Sequence, residues 1–277
     1  MNIGDYPPQE PLSEAGAAYG AECWRRSEGI AFQEFAFGAD PYQRLLVFAP
    51  PRPNGSVLVF WHGGGWTSGY KEWMGFMAPA FNASGITFVS AGYRLAPQHI
   101  FPAGLHDCAE AVKWVAANIS RHGGNPEQIF IGGHSSGGHY AALLAASHDW
   151  TASMGLSDDV VRGCLPLSAV YEFGEGSGLS ARPRFLGADP ANDLRASPRF
   201  QLQPPLPPFL VAHGSRDFPH LITQAGRFVA AVRAQGFEAD HLELADRTHF
   251  TASYAGGESE GPWVPAALAF IARHAGR

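Results

Sequence analysis

The segment Gly133-His134-Ser135-Ser136-Gly137 follows the pattern Gly-x-Ser-x-Gly, and the residues on either side give that pattern a structural meaning. The apolar run 128–131 before it is typical of a buried strand, and the alanine-rich run 138–146 after it is typical of a helix. A serine hydroxyl is a poor nucleophile unless a sharp strand-to-helix turn exposes it beside a base and hydrogen-bond donors. The segment therefore predicts a nucleophile at Ser135, and a glycine-rich bend without chemistry is the alternative.

The composition narrows the class of protein to which this chain can belong. Of 277 residues, 45% are hydrophobic and 16% are charged, which indicates a globular chain with a sizeable core. The net charge of −6 and the lack of a basic cluster argue against nucleic acid as a partner, and no apolar run approaches the roughly 18 residues of a membrane span. The polar N-terminus does not resemble a secretion signal. We therefore expect a cytoplasmic enzyme with no membrane partner.

The three cysteines, Cys23, Cys108 and Cys164, lie far apart and are odd in number. They predict buried reduced thiols, not a disulfide framework or a metal motif. No His-Glu-x-x-His motif, zinc-spaced cysteine pair or dinucleotide-binding glycine pattern is present, so we expect no metal and no cofactor.

The order of apolar runs predicts an α/β fold. A β-hairpin at 32–38 and 43–49 leads into strands that alternate with helices, a pattern typical of a mostly parallel central sheet with helices on both faces. The catalytic groups of such a sheet lie on loops at the carboxyl ends of its strands. The strands are expected at 56–61, 86–91, 128–131, 161–167, 208–213 and 241–244, and the helices at 72–84, 102–121, 136–147, 221–235 and 264–275.

We expect one domain, 1–277, with an N-terminal extension at 1–31 that contains a short helix near 17–26. The segment 171–207 is rich in glycine and proline and shows little periodicity. Because an aperiodic segment of that length between two strands is usually functional, it predicts a lid or cap insertion over the site.

A second glycine-rich segment, His62-Gly63-Gly64-Gly65-Trp66, directly follows the strand expected at 56–61. Glycines at a strand end leave backbone N–H groups free to point into a cleft, which is what the oxyanion of an acyl-transfer reaction requires. Gly64 and Gly65 are the expected donors, with the N–H of Ser136 as the third. A flexible loop and a phosphate cradle are the alternatives, and the absence of a following Lys-Ser/Thr pair disfavours the cradle.

These two segments, together with Gly92-Tyr93-Arg94-Leu95-Ala96-Pro97, resemble the α/β-hydrolase superfamily. The resemblance covers roughly residues 45 to 275 and is greatest to hormone-sensitive-lipase-type carboxylesterases and kynurenine formamidases (arylformamidases). The segment at 93–103 is similar to the esterases, whereas Gly-His-Ser-x-Gly-Gly-His at 133–139 is similar to the formamidases. The resemblance implies the α/β-hydrolase fold and no cofactor.

In this fold the catalytic triad follows the order Ser, acid, His. Asp217 lies just after the strand at 208–213, where the family has its acid, and Asp246 is the rival because it also follows a strand. His249 follows the strand at 241–244 and is the expected base, while His62, His134 and His139 are expected to have structural roles. The acid would hold the imidazole in its useful tautomer, and the imidazole would take the proton of Ser135.

The expected reaction is hydrolysis of a small ester or amide with an aromatic or apolar group, through an acyl-enzyme intermediate. Trp66, Tyr171 and Phe250 are expected to bind the substrate, within a larger aromatic set that adds Trp73, Tyr140 and Phe173. A short-chain carboxylesterase and an arylformamidase acting on N-formylkynurenine both stay open, and a substrate carboxylate could meet Arg182 or Arg184. A catalytically silent small-molecule binding protein is the alternative of another class. The oligomeric state stays open, with a homodimer among the alternatives.

Overall fold

The computed structural model describes residues 3–276, so the ends of the expected domain 1–277 and the first two residues of the expected extension 1–31 lie outside the described residues. The strands are Gln33–Ala36 (β1), Arg44–Phe48 (β2), Gly55–Trp61 (β3), Thr87–Ala91 (β4), Gly124–His134 (β5), Val161–Leu167 (β6), Phe209–Arg216 (β7) and Ala239–Thr248 (β8). The α-helices are Glu14–Ser27 (α1), Ala78–Asn82 (α2), Ala103–Asn118 (α3), Ser136–Ala146 (α4), Asp149–Met154 (α5), Ala191–Arg195 (α6), Pro219–Ala234 (α7), His249–Tyr254 (α8) and Trp263–His274 (α9).

The eight strands form one sheet in the order β1-β2-β4-β3-β5-β6-β7-β8. The β1/β2 and β2/β4 pairs are antiparallel, and every later pair is parallel. The prediction of a mostly parallel sheet that begins with an antiparallel hairpin is therefore confirmed.

Helices cover both faces of the sheet. Alternate residues of the central strand β3 enter two separate hydrophobic clusters, with Val57, Val59 and Trp61 in one and Leu58 and Phe60 in the other. The first cluster includes side chains of α3, α4 and α7, and the second includes side chains of α1, α2 and α9. A strand that is buried on both faces reads as a continuous apolar run, which is why 56–61 shows no alternation.

Glycine shapes the turn between β5 and α4. A Cβ at Gly133 would lie 2.3 Å from the carbonyl carbon of Gly137, and a Cβ at Gly137 would lie 2.3 Å from the carbonyl oxygen of Trp61. Ser135, between them, has φ +55° and ψ −119°, a conformation that L-residues rarely adopt. The close approach of strand and helix therefore requires glycine on both sides, and it leaves the serine on a strained, projecting turn.

Some local expectations were wrong. The helix expected at 72–84 is a 3₁₀ helix at Lys71–Met77 followed by the short α2, and α5 was not predicted. Within the segment 171–207 the ordered elements are α6 and a 3₁₀ turn at Pro198–Phe200. No helix within residues 3–276 is both long enough and apolar enough to cross a membrane.

Candidate active site

Three side chains from three strand ends form a continuous hydrogen-bonded chain. Ser135 Oγ lies 2.9 Å from His249 Nε2, and His249 Nδ1 lies 2.8 Å from Asp217 Oδ1. Because an ionised carboxylate can only accept, the proton sits on Nδ1, and Nε2 accepts from the serine hydroxyl. The imidazole is thus held in the tautomer that can receive a proton from Ser135.

Local structure fixes each member of this chain. The N–H of Ser135 donates to the carbonyl of Leu167 at the end of β6 (2.9 Å), and Asp217 Oδ1 accepts the N–H of Phe218 (2.7 Å). His249 is the first residue of α8, whose N-terminus is closed by a capping box between Thr248 and Thr251. The base therefore projects from a capped helix end, where its backbone is constrained.

The charge on Asp217 is stabilised although the side chain is buried. Burial by itself favours the neutral acid, but the hydrogen bond and charge of His249, with smaller contributions from the Ser168 hydroxyl and the Phe218 N–H, outweigh it and lower the pKa of Asp217. The rival carboxylate, Asp246, is 87% exposed and lies 3.7 Å from Arg216 Nε. The structure brings Asp217, and not Asp246, to the imidazole.

Three backbone N–H groups near Ser135 have no hydrogen-bond acceptor within the described residues. Those of Gly64, Gly65 and Ser136 donate to no other atom within residues 3–276. Gly64 and Gly65 have φ +128° and +63°, and both line the same cleft as Ser135. Ser136 is the first residue of α4, so its N–H has no partner within the helix. Free donors of this kind are suited to a developing negative charge.

His134, next to the nucleophile, links the base to the N-terminal helix. Its Nε2 donates to the carbonyl of His249 (2.9 Å), and its Nδ1 accepts from the hydroxyl of Tyr19 on α1 (3.2 Å). Burial, together with the charge of His249, lowers the pKa of His134 to about 3. His134 is therefore uncharged near neutral pH, and its role is structural: it joins α1 to the backbone of His249.

His62 is also held neutral at the start of the glycine loop. Burial lowers its pKa to about 4, its Nδ1 donates to the carbonyl of Gly63 (2.7 Å), and its ring stacks on Tyr93 at 4.4 Å.

The nucleophile opens into a cleft of about 510 Å³. Of the expected substrate-binding residues, Trp66 and Phe250 line this cleft, as does Trp73. Tyr171 does not: its ring is fully buried and stacks on Phe228 of α7 at 4.5 Å. That expectation needs correction because the backbone at the end of β6 directs Tyr171 into the core.

One wall of the cleft was not predicted from the sequence, and another comes from the segment that was expected to form a lid. Residues before and within α1 form one, and the segment 171–207 supplies another; they are Pro11, Leu12, Ser13, Gly16 and Tyr19 in the first, and Gly178, Leu179, Ser180 and Arg184 in the second. The polar, irregular composition of 1–31 carries no signal for this role, except that Ser13 caps α1 by accepting the N–H of Gly16. Within residues 3–276, no group of three or more His, Cys, Asp or Glu side chains is placed to hold a metal ion.

The chain is similar in sequence to known esterases. A family model described as BD-FAE matches residues 46–164. Esterase LipC of Mycobacterium tuberculosis is 32% identical over 235 residues, which are 77% of this chain and 58% of LipC. Isoprenylcysteine alpha-carbonyl methylesterase ICME of Arabidopsis thaliana is 28% identical over 78% of this chain and 56% of that protein. The chain thus spans somewhat more than half the length of these relatives.

Solved structures show the same fold. A hyperthermophilic esterase from Pyrobaculum calidifontis superimposes with a TM-score of 0.73 at 24% identity, over 92% of this chain and 89% of the esterase. Esterase 2 of Thermogutta terrifontis, solved with butyrate bound, gives a TM-score of 0.73 at 21% identity over 89% and 95% of the two chains. The chain therefore has the α/β-hydrolase fold, and its sequence is similar to the sequences of esterases that share this fold.

Proposed function

We propose that this chain is a serine hydrolase of the carboxylesterase type. One observation carries the proposal: the hydrogen-bonded chain Ser135–His249–Asp217 ends in a cleft beside three unused N–H donors. Nucleophile, base, orienting acid and oxyanion donors are the complete set that acyl transfer requires.

The proposed reaction has two halves. Ser135 Oγ attacks the acyl carbonyl as His249 Nε2 takes its proton, and the N–H groups of Gly64, Gly65 and Ser136 stabilise the oxyanion. The imidazolium, stabilised by Asp217, then protonates the leaving alcohol or amine, which leaves an acyl-serine. In the second half, the imidazole of His249 takes a proton from water as the water attacks the acyl carbonyl, and it then returns that proton to Ser135 Oγ as the ester bond breaks. The carboxylic acid leaves, and the free enzyme is restored.

The cleft favours a small substrate with an apolar or aromatic group. At about 510 Å³ it matches an ordinary small-molecule site, and apolar side chains dominate the lining: Pro11, Leu12, Trp66, Trp73, Val170, Leu179, Phe218, Leu221 and Phe250. Apolar burial would supply most of the binding energy.

The charges near the cleft favour a neutral ester over a charged formamide. Arg184 donates through Nε to Glu10 (3.2 Å), and Arg182 lies 3.0 Å from Asp193. Both guanidinium groups, which could otherwise meet the carboxylate of N-formylkynurenine, are occupied by carboxylates of this chain. An arylformamidase therefore ranks second, supported by the Gly-His-Ser-x-Gly-Gly-His segment.

Further properties are proposed on the same basis. The segment 171–207 acts as a lid, because Leu179, Ser180 and Arg184 line the cleft. The extension 1–31 is part of a single domain, 1–277, because Leu12 and Tyr19 line the same cleft. Three buried free cysteines suit a reducing cytoplasm. A homodimer remains a candidate assembly, to be tested by light scattering.

Replacement of the nucleophile tests the proposed function. Ser135→Ala should abolish hydrolysis of p-nitrophenyl acetate and labelling by a fluorophosphonate, while circular dichroism shows that the variant stays folded. Wild-type protein that neither turns over the ester nor is labelled would refute the proposal and favour a silent binding protein.

A substrate panel separates the two enzyme candidates. We expect kcat/KM for short acyl esters of phenols to exceed that for N-formylkynurenine. A preference for N-formylkynurenine by orders of magnitude would identify an arylformamidase instead.

A further inference from the structure

The indole of Trp66 makes a hydrogen bond that the proposed reaction does not use. Its Nε1 donates to Nδ1 of His139 (3.1 Å), a histidine one turn into α4 from the nucleophile. Both side chains are buried. If this hydrogen bond were broken inside the apolar cluster, the indole N–H and the imidazole nitrogen would each be a buried polar group without a partner. The bond therefore fixes the positions of the two side chains relative to each other.

The other nitrogen of His139 reaches the segment 171–207. Nε2 lies 2.7 Å from the carbonyl oxygen of Ala196. Because an indole N–H can only donate and a carbonyl can only accept, His139 must be neutral with its proton on Nε2. Burial lowers the pKa of His139 to about 4, which is consistent with this single tautomer at neutral pH.

Trp66 directly follows the two glycines proposed as oxyanion donors. It is a non-glycine residue with φ +64°, and its carbonyl accepts the N–H of Ala96 (2.9 Å). Its ring stacks on Phe185 of the segment 171–207, with ring centroids 4.3 Å apart and planes 9° apart. Within the loop, the carbonyl of Gly64 accepts the N–H groups of Thr67 (3.2 Å) and Ser68 (3.0 Å). Because Gly64 and Gly65 have no side chains, the side-chain contacts that join this part of the loop to α4 and to the segment 171–207 are those of Trp66.

We propose that His139 is a positioning residue for the oxyanion loop: through the indole of Trp66 it fixes the Gly64 and Gly65 N–H groups relative to Ser135, and through Ala196 it ties that geometry to the segment 171–207. This role rests on the proposed function. Ser135 and His139 belong to one helical turn, since the N–H of His139 donates to the carbonyl of Ser135 (2.9 Å). The first turn of α4 thus positions both the nucleophile and, through His139 and Trp66, the oxyanion donors.

The hydrogen bond itself can be tested without any activity. In ¹⁵N-labelled protein, the indole N–H signal of Trp66 is the one that disappears in Trp66→Phe. We expect this signal to exchange slowly with deuterium in wild type and at least tenfold faster in His139→Leu. The matched control is His148→Asn, because His148 also donates to a carbonyl of the segment 171–207, that of Pro205, but has no contact with Trp66. Equal exchange in His139→Leu and wild type would overturn the inference.

The positioning role is tested by a transition-state mimic. Phenylboronic acid forms a tetrahedral adduct with an active serine, so its affinity reports on the oxyanion donors. His139→Leu should lower both kcat and this affinity by about tenfold, with KM within twofold of wild type; full loss of one oxyanion donor costs about 10²–10³ in kcat. His139→Asn retains an acceptor near the position of Nδ1 and should lose less, and His148→Asn should match wild type.

Trp66→Phe keeps a ring against Phe185 but lacks the donor, so it should lower kcat as His139→Leu does. Combination with His139→Leu should then add little further loss. If His139→Leu fails to fold, Trp66→Phe alone tests the positioning role. If wild type is active and these variants keep kcat and boronate affinity within twofold, the positioning role alone is refuted. If wild type shows neither turnover nor boronate binding, the proposed function is refuted and the positioning role with it.

Discussion

At the scale of the residue, the two loop glycines differ in what they can tolerate. A Cβ at Gly64 would lie 1.9 Å from the carbonyl oxygen of Ser68, whereas a Cβ at Gly65 would meet nothing within 4 Å. Gly65 needs glycine only for its φ of +63°, a conformation that costs another residue about 1–2 kcal/mol.

We therefore expect Gly64→Ala to lower kcat for p-nitrophenyl acetate by about 10²-fold, as the loss of one oxyanion donor does. Gly65→Ala, the matched control, should lose less than about tenfold because its methyl group fits. Steady-state kinetics on folded variants give both values. A greater loss in Gly65→Ala than in Gly64→Ala would contradict the loop geometry.

The sequence predicts some residues of the site better than others. Ser135, Asp217 and His249 can be picked out because each follows a strand, and the carboxyl ends of parallel strands meet at one edge of a sheet. Tyr171 also follows a strand, yet it turns into the core. The direction of a side chain after a strand depends on the backbone of the loop, and here Ser168 has φ +51°, which no residue pattern reveals.

At the scale of the element, helix α1 is the part of the site that sequence patterns did not predict. It lies more than a hundred residues from His134 in the chain, so its contact arises only from tertiary packing. The hydroxyl of Tyr19 bonds to His134 and to Ser253 of α8 (2.9 Å), and its ring stacks on Phe250 at 5.0 Å. The helix thereby supports both the nucleophile turn and the base.

Tyr19→Phe keeps this stacking and removes only the hydroxyl. Since a neutral hydrogen bond contributes about 1 kcal/mol, we expect kcat to fall about fivefold, with KM within twofold of wild type. Tyr254→Phe is the control, because the Tyr254 ring also stacks on Tyr19 (5.7 Å) but does not bond to His134. If Tyr19→Phe and Tyr254→Phe have the same kcat, α1 only walls the cleft and does not position the base.

At the scale of the whole molecule, burial of neutral histidines makes stability depend on pH. The folded-state pKa values of His62, His134 and His139 are lowered to about 4, 3 and 4, against about 6.5 in an unfolded chain. Between these values the unfolded chain binds more protons than the folded one, so acidification lowers the free energy of unfolding. Each group contributes up to about 1.4 kcal/mol per pH unit.

The melting temperature should therefore fall as the pH drops from 6.5 towards 4.5, and His139→Asn should show a shallower fall than wild type. Thermal denaturation followed by circular dichroism at a series of pH values measures this slope. Tyr140→Phe is the control, because it changes a buried neighbour of His139 that does not titrate in this range. A slope unchanged in His139→Asn would show that His139 is not held neutral by burial.

The global fold follows from the sequence because each central strand is an apolar run and each is followed by a helix. The boundaries are less predictable: β5 begins at Gly124 rather than at 128, and 71–77 is a 3₁₀ helix although its apolar pattern resembles an α-helix. Tertiary contacts decide such ends. The cleft wall formed by Pro11, Leu12 and Tyr19 likewise depends on tertiary packing.

Trapping of the acyl-enzyme tests directly whether Ser135 is the nucleophile. Wild-type protein is mixed with p-nitrophenyl butyrate, quenched in acid within one turnover, digested and analysed by mass spectrometry. We expect one butyryl group, on the peptide that contains Ser135, in an amount that matches the burst of p-nitrophenol, and no such group in Ser135→Ala. Turnover without acylation at Ser135, or undiminished hydrolysis by Ser135→Ala, would show that Ser135 is not the nucleophile.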